Sequence, residues 1–171
     1  MKISIAGPGK FEAYEKINPR AKTIIAEIAK LIAESGNEIV LTPDKNSAIA
    51  FFAKEYQDNG GKKVYEIVPL DDKEFGYEKY LDITLGEIIN CGTWINQAIE
   101  FNKNSDMMIC LAYGWGTMVE IHYAEHYNPK TVYIIKEFIT SELPKELHKN
   151  QDIKYVSYKE LINILKSSNK K

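Results

Sequence analysis

Cysteine and long apolar runs are scarce in this sequence of 171 residues. Its two cysteines, Cys91 and Cys110, lie among apolar residues with no second Cys or His at metal-ligand spacing, so neither a disulfide framework nor a zinc site is indicated. No apolar run approaches the roughly 18 residues that a membrane-spanning helix needs, and no secretory signal opens the sequence. We therefore expect a reduced, cytoplasmic protein that makes no membrane contact.

An excess of either charge is also absent. The net charge is −2 and lysines are interleaved with acidic residues, so a general nucleic-acid surface is not indicated. The sequence has no internal repeat and no linker. At this length, a hydrophobic fraction of 44% is ordinary for one folded domain. We predict a single domain over residues 1–171, with a frayed basic tail at 166–171.

Strand and helix patterns alternate along the chain. Such alternation predicts right-handed crossovers, and hence an α/β, three-layer Rossmann-like fold whose mostly parallel sheet carries helices on both faces. Between the third strand and the next helix, residues 70–87 show no clean period and are expected to form a loop. The predicted strands are 2–6, 38–42, 63–68, 107–112, 131–135 and 154–156, and the predicted helices are 21–35, 47–59, 93–102, one that begins at Thr117, and one opened by the capping box Ser157–Glu160.

Two glycine loops follow strands of this predicted sheet. The first is Gly7-Pro8-Gly9, which stops the N-terminal strand, and the second is Gly114-Trp115-Gly116, which follows the buried strand 107–112. In open parallel sheets, ligands bind outside the carboxyl ends of strands. We expect the two loops to face one crevice that holds a small-molecule nucleotide.

The second loop has the features of a phosphate cradle. Gly114 and Gly116 place no Cβ between the backbone and a ligand, and Thr117 stands where a helix would present free N–H groups and a positive dipole end to an anion. Glu120 follows one turn later, and a carboxylate suits a ribose hydroxyl or a reacting carbon better than an anion. The alternative is a plain strand-to-helix turn with Glu120 as an N3 capping acid.

Three further candidates each have a structural alternative. Lys10 follows the first loop and suits a phosphate as a point charge, or is a solvated loop lysine. Asp44 follows the second strand, where an acid often binds ribose hydroxyls, or is a turn residue or helix cap. Trp115 is positioned to stack on a base or to fill a dimer interface.

Two other pairs are weighed in the same way. Thr93 and Asn96 are candidate crevice contacts, although helix capping accounts for Thr93 without a function. His122 and His126 are four residues apart and would share a helix face as two zinc ligands can, but no third ligand is evident. We expect an ordinary helix face, no metal, and no required cofactor beyond a possible AMP-like nucleotide ligand.

Three segments resemble the Rossmann-like superfamily of the LONELY GUY phosphoribohydrolases, often labelled lysine decarboxylases, and the molybdenum-cofactor carrier proteins. They are residues 3–9, residues 48–69 with the double glycine, and residues 104–120, which are similar to the PGGxGTxxE motif. The resemblance implies nucleotide binding, a homodimer and hydrolysis of the N-glycosidic bond of a nucleoside monophosphate. Two departures favour a non-catalytic sensor or carrier instead. Ala112-Tyr113-Gly114 replaces Pro-Gly-Gly, and residues 89–96 hold no arginine where the phosphoribohydrolases have one that assists catalysis; Arg20 is the only arginine in the chain.

A weaker similarity links the chain to nucleoside 2-deoxyribosyltransferases. It rests on the opening Ile-Ala-Gly-Pro and on Gly-Thr-x-x-Glu-Ile-x-x-Ala at residues 116–124. This resemblance implies that Glu120 is a nucleophile at the anomeric carbon, as in retaining glycosidases. Both resemblances make Glu120 the candidate catalytic residue that meets the sugar. The remaining alternative is an interaction domain whose crevice is filled by Tyr113 and Trp115.

Overall fold

The computed structural model describes residues 1–127, 130–147 and 151–168. Within these residues, seven strands form one sheet in which every neighbouring pair is parallel. The strands are β1 Lys2–Ala6, β2 Glu38–Leu41, β3 Val64–Val68, β4 Glu87–Asn90, β5 Met107–Cys110, β6 Val132–Ile135 and β7 Ile153–Val156. Their order across the sheet is β4-β3-β2-β1-β5-β6-β7.

Helices cover both faces of the sheet, so the predicted three-layer α/β architecture is confirmed. The helices are α1 Glu12–Glu15, α2 Ala21–Glu34, α3 Ala48–Asp58, α4 Gln97–Lys103, α5 Trp115–Tyr123 and α6 Tyr158–Ser168. One apolar layer packs α2, α3 and α6 on strand residues such as Ile3 and Ile5, and the other packs α4 and α5 on residues such as Ala6 and Met108. Neighbouring side chains of a strand point to opposite faces, so each layer receives a different set of strand residues.

The order of the strands places the two glycine loops side by side. From β1 the chain adds β2, β3 and β4 on one side, and then crosses to build β5, β6 and β7 on the other. Because β1 and β5 are paired in parallel, with Ala6 opposite Cys110, their carboxyl ends lie next to each other. This reversal of strand order creates the crevice where ligands bind in such sheets.

Several predicted boundaries differ from the structure. Strand β4 was not predicted: the expected loop 70–87 includes only its first residue, and its mostly exposed residues pair with β3 at the edge of the sheet. The predicted helix 93–102 is a 3₁₀ turn over Trp94–Asn96 followed by α4, and α5 begins at Trp115, two residues earlier than expected. The tail prediction is wrong for 166–168, which belong to α6, and residues 169–171 lie outside the described residues.

The helix caps follow the sequence closely. Ser47 caps α3, and its hydroxyl accepts a hydrogen bond from the Ala50 N–H at 2.9 Å. The capping box before α6 is present, since the Ser157 N–H donates to the Glu160 carboxylate at 2.6 Å and the Glu160 N–H donates to the Ser157 hydroxyl at 3.2 Å. No helix in the described ranges combines the length and the apolarity that crossing a membrane requires.

The turn after α3 provides a test of the packing. At Gly61 an added Cβ would lie 2.2 Å from the Tyr56 ring. That ring is fully buried, and its hydroxyl donates to the Asn37 carbonyl at 2.8 Å. We predict that Gly61→Ala lowers the free energy of unfolding by about 2 kcal/mol or more, as overpacked cores do.

Its neighbour Gly60 is the matched control. Gly60 has a φ of +80°, but no atom lies within 4 Å of an added Cβ. Gly60→Ala is therefore expected to show only the cost of a left-handed backbone, about 1 kcal/mol. Urea unfolding of both variants measures the difference, and a Gly61→Ala variant as stable as Gly60→Ala would contradict the packing argument.

Candidate functional site

The two predicted glycine loops face one cleft of about 430 Å³. Its floor is the carboxyl end of β1, and its walls come from the segment after β2, the start of α4 and the first two turns of α5. The lining residues are Ile5, Ala6, Gly7, Pro8, Gly9, Thr42, Asp44, Ile49, Trp94, Gln97, Gly114, Trp115, Gly116, Thr117 and Glu120.

The first loop is held rigidly against the body of the protein. The hydroxyl of Tyr14, which is fully buried, donates to the Pro8 carbonyl at 2.8 Å. The Ala48 N–H at the start of α3 donates to the Gly9 carbonyl at 2.7 Å. Because both carbonyls accept hydrogen bonds from the body of the protein, the loop forms a preformed wall of the cleft.

The second loop delivers the N-terminus of α5. Gly114 is its N-cap residue and provides no side-chain cap, so the first N–H groups of the helix are available to an anion. At Gly116, no atom lies within 4 Å of an added Cβ, which means that the space beside this backbone is open. Trp115 projects away from the protein, with 93% of its surface exposed. The geometry is that of an uncovered helix end that faces the cleft.

Glu120 is the buried acid of the cleft, with only 8% of its surface exposed. The Gln97 amide donates to its Oε1 at 3.1 Å and also to the Thr42 hydroxyl. Burial raises the pKa of Glu120 to about 7, against the lowering effect of the Gln97 hydrogen bond and with a smaller raising effect from the charge of Asp44. The carboxyl is therefore present in both its neutral and ionised forms near neutral pH.

Asp44 is the second acid of the cleft. It is half-buried, and this burial raises its pKa. Its carboxylate borders Gly9, where an added Cβ would lie 3.3 Å from Oδ2. Asp44 also forms an isolated antiparallel bridge with Leu81, which ties the loop after β3 to the rim of the cleft.

Two structural alternatives from the sequence are wrong. Glu120 is not an N3 capping acid, because α5 begins at Trp115 and the Glu120 side chain bonds to Gln97 instead. Asp44 is not a helix cap, because Ser47 caps α3. Both acids line the cleft.

Three predicted contacts lie outside the lining. Lys10 is exposed, beyond the loop that Gly9 closes. Thr93 precedes the 3₁₀ turn and Asn96 is its last residue, whereas Trp94 of the same turn lines the cleft; Thr93 makes no side-chain cap hydrogen bond. Arg20, at the start of α2, does not line the cleft either. Thus no lysine or arginine belongs to the lining formed by the described residues.

Three lining residues were missed by sequence reasoning: Thr42, Trp94 and Gln97. Gln97 bonds to residues 55 and 23 positions away, and no local pattern encodes such contacts. The only available signal was positional, since Trp94 lies in the segment 89–96 where the related enzymes have their arginine.

The pair His122 and His126 does share a helix-end surface, with ring centroids 5.4 Å apart. Over the described parts of the chain, no group of three or more His, Cys, Asp or Glu side chains is arranged to hold a metal ion.

The reversed strand order and the cleft between two glycine loops define a Rossmann-like α/β protein with a small-molecule-sized crevice. The chain belongs to the SLOG cluster4 family, which it matches over residues 1–163. Comparison with curated proteins gives no match.

Two solved structures share the fold. One is the Moco carrier protein from Chlamydomonas reinhardtii, with 18% identity and a TM-score of 0.70 over 97% of this chain and 95% of that protein. The other is the molybdenum cofactor binding protein from Rippkaea orientalis, with 18% identity and a TM-score of 0.72 over 98% of this chain and 96% of that protein. The family match, together with this shared fold, confirms the resemblance to the superfamily of the LONELY GUY and molybdenum-cofactor carrier proteins.

The raised pKa of Glu120 predicts a specific pH dependence of stability. An acid whose pKa is higher in the folded protein destabilises the fold when it ionises. The free energy of unfolding therefore falls as the pH rises from the ordinary pKa of 4.5 to the raised pKa of about 7. Glu120→Gln cannot ionise. We predict that this variant gains stability relative to the wild type between pH 5 and pH 8, on the order of 3 kcal/mol.

Thermal unfolding at both pH values measures this gain. Glu27→Gln, at an exposed position of α2, is the control and should show no such pH-dependent gain. A stability difference between Glu120→Gln and the wild type that is the same at pH 5 and pH 8 would refute the burial argument.

Proposed function

We propose that the cleft binds a nucleotide or another phosphorylated ribosyl compound. The observation that carries this proposal is the pairing of an uncapped helix N-terminus with two buried or half-buried carboxyls in one cleft. The helix end suits a phosphate, whereas the carboxyls suit hydroxyl groups, which donate hydrogen bonds to them. A phosphorylated sugar presents both kinds of group on one small molecule.

The absence of lysine and arginine from the described lining limits the charge of the ligand. Backbone N–H groups and the helix dipole provide only a fraction of a positive charge, and the cleft already holds Asp44 and Glu120. A ligand with one phosphate is therefore favoured over a di- or triphosphate. Lys10, outside the lining, supplies at most long-range attraction.

Hydrolysis of the N-glycosidic bond of a nucleoside monophosphate is the second candidate function. The observation that favours it is the pKa of about 7 for Glu120, because acid–base groups work best when the pKa lies near the operating pH. Ionised Glu120 would stabilise positive charge at the anomeric carbon. Water adds its oxygen to that carbon, the bond to the base nitrogen breaks, and the base leaves with a proton.

A non-catalytic carrier is the alternative outcome for the same cleft. The two structural relatives are described as a molybdenum-cofactor carrier and a molybdenum-cofactor binding protein, and no fixed cation in the described lining assists a leaving group. A carrier would hold its ligand intact. A deoxyribosyltransferase, in contrast, would pass the sugar from Glu120 to an added base.

Cytoplasmic location and homodimerisation stay predictions.

Binding is tested by Gly116→Ala, which fills the open space beside the first turn of α5. We expect the wild type to gain about 2.7 kcal/mol of stability at 100 times the dissociation constant of its ligand, measured by thermal shift with nucleoside monophosphates and ribose 5-phosphate. Gly116→Ala should lose this gain without becoming less stable itself, since alanine favours helix.

Val119→Ala is the matched control, because this residue lies on the same helix but outside the cleft. It should keep the full ligand-induced shift. The binding proposal fails if no phosphorylated probe shifts the wild type, or if Gly116→Ala binds as tightly as the wild type.

Catalysis is tested by Glu120→Gln, which keeps a hydrogen-bonding side chain but removes the charge. Free base released from nucleoside monophosphates is measured by chromatography. We expect the wild type to release base and the variant to lose at least 100-fold in turnover while its affinity for ribose 5-phosphate changes little. Unchanged release by the variant would remove Glu120 from the mechanism, and no release by the wild type would leave the carrier function.

A further inference from the structure

A second cavity of about 370 Å³ adjoins the cleft. It is lined by three aromatic side chains, Phe75, Tyr80 and Trp94, together with Asp44. Asp44 and Trp94 also line the main cleft, so the two cavities meet at these residues. Phe75 and Tyr80 belong to the loop between β3 and β4, which has no part in the proposed function as described so far.

Hydrogen bonds hold the segments that carry these aromatic residues. The Trp94 indole N–H donates to the Gly76 carbonyl at 2.9 Å. The carboxylate of Asp72 accepts from the backbone N–H groups of both Phe75, at 2.9 Å, and Trp94, at 3.2 Å. One acid thus joins the loop to the 3₁₀ turn and sets the spacing of two of the three aromatic residues.

The third ring is anchored in a similar way. Tyr80 packs edge-on against Trp94, with ring centroids 6.3 Å apart and an interplanar angle of 81°. Its carbonyl accepts from the Lys45 N–H at 2.8 Å, close to Asp44 in the chain. Nevertheless, Phe75 is 65% and Tyr80 46% exposed. Exposed aromatic rings of this kind are suited to stacking on a planar partner.

The charge of this loop indicates which end of a ligand it receives. Residues 70–82 contain five acidic residues and only two lysines, so a phosphate is repelled there. The N-terminus of α5 lines only the main cleft, whereas Asp44 lines both cavities. In a nucleotide, phosphate, sugar and base follow one another in the same order as helix end, carboxyls and aromatic cavity.

We propose that Phe75, Tyr80 and Trp94 form a subsite for the planar heteroaromatic ring of the ligand. This proposal rests on the proposed function, because it assumes that the phosphate lies at the N-terminus of α5. The ring stacks among the three side chains, and Asp44 marks the position of the sugar between the two cavities. The loop after β3 is accordingly a specificity element for the base.

The test uses Trp94 as the reporter. The chain has two tryptophans, so on the wild-type background the signal of Trp94 is the part of the tryptophan emission that Trp94→Phe removes. AMP and ribose 5-phosphate are titrated separately and followed both by thermal shift and by fluorescence. We expect both compounds to bind, AMP to quench Trp94, and ribose 5-phosphate, which has no ring, to leave the emission unchanged.

Phe75→Ala on the same background identifies the subsite. Loss of a stacking ring should weaken AMP roughly tenfold and leave the affinity for ribose 5-phosphate within about twofold. Ile95→Ala is the matched control, since Ile95 is adjacent to Trp94 and 85% exposed but lines neither cavity. It should leave both affinities unchanged.

The outcomes separate this inference from the function on which it rests. If AMP and ribose 5-phosphate bind with equal affinity, or if Phe75→Ala weakens both alike, the aromatic subsite is overturned and the phosphate cleft remains. If neither compound binds, the proposed function itself fails, and the subsite fails with it.

Discussion

The hydrogen bonds of the Gln97 amide hold the cleft together. From the first turn of α4, this side chain donates to the Thr42 hydroxyl after β2 and to the Glu120 carboxyl in α5. Three segments that are distant in sequence are therefore joined by one amide group. Since an amide is the partner rather than a cation, burial dominates the pKa of Glu120 and keeps it near 7. The position and the charge state of the central acid both depend on this contact.

The cleft combines two regions of opposite polarity. The backbone at the start of α5 offers N–H donors, whereas Asp44 and Glu120 offer acceptors. Burying an acid without a cation lowers the free energy of unfolding, and such destabilising features are expected at functional sites. We interpret this cost as the consequence of selection for a ligand that carries both an anion and hydroxyl groups.

Much of this architecture could be predicted from the sequence because its signals are local. Strand β1 ends in two glycines around a proline, and α2 has a clear apolar period closed by Gly36. Strand β4 could not be predicted, because its exposed residues Glu87–Asn90 lie at the sheet edge and show no alternation. Gln97 and Trp94 were missed for a different reason: their roles arise from long-range contacts that only the folded chain creates. Lys10 is exposed outside the cleft lining, because proximity in sequence to the first loop does not determine the direction of an exposed side chain.

The most direct test of the central claim is a crystal structure of the protein in complex with a nucleoside monophosphate. Our account predicts phosphate oxygens about 3 Å from the backbone N–H groups of the first turn of α5, with the ribose hydroxyls at Asp44 and Glu120. A phosphate bound elsewhere, for instance at Lys10 on the surface, or a ligand that leaves the cleft empty, would contradict it.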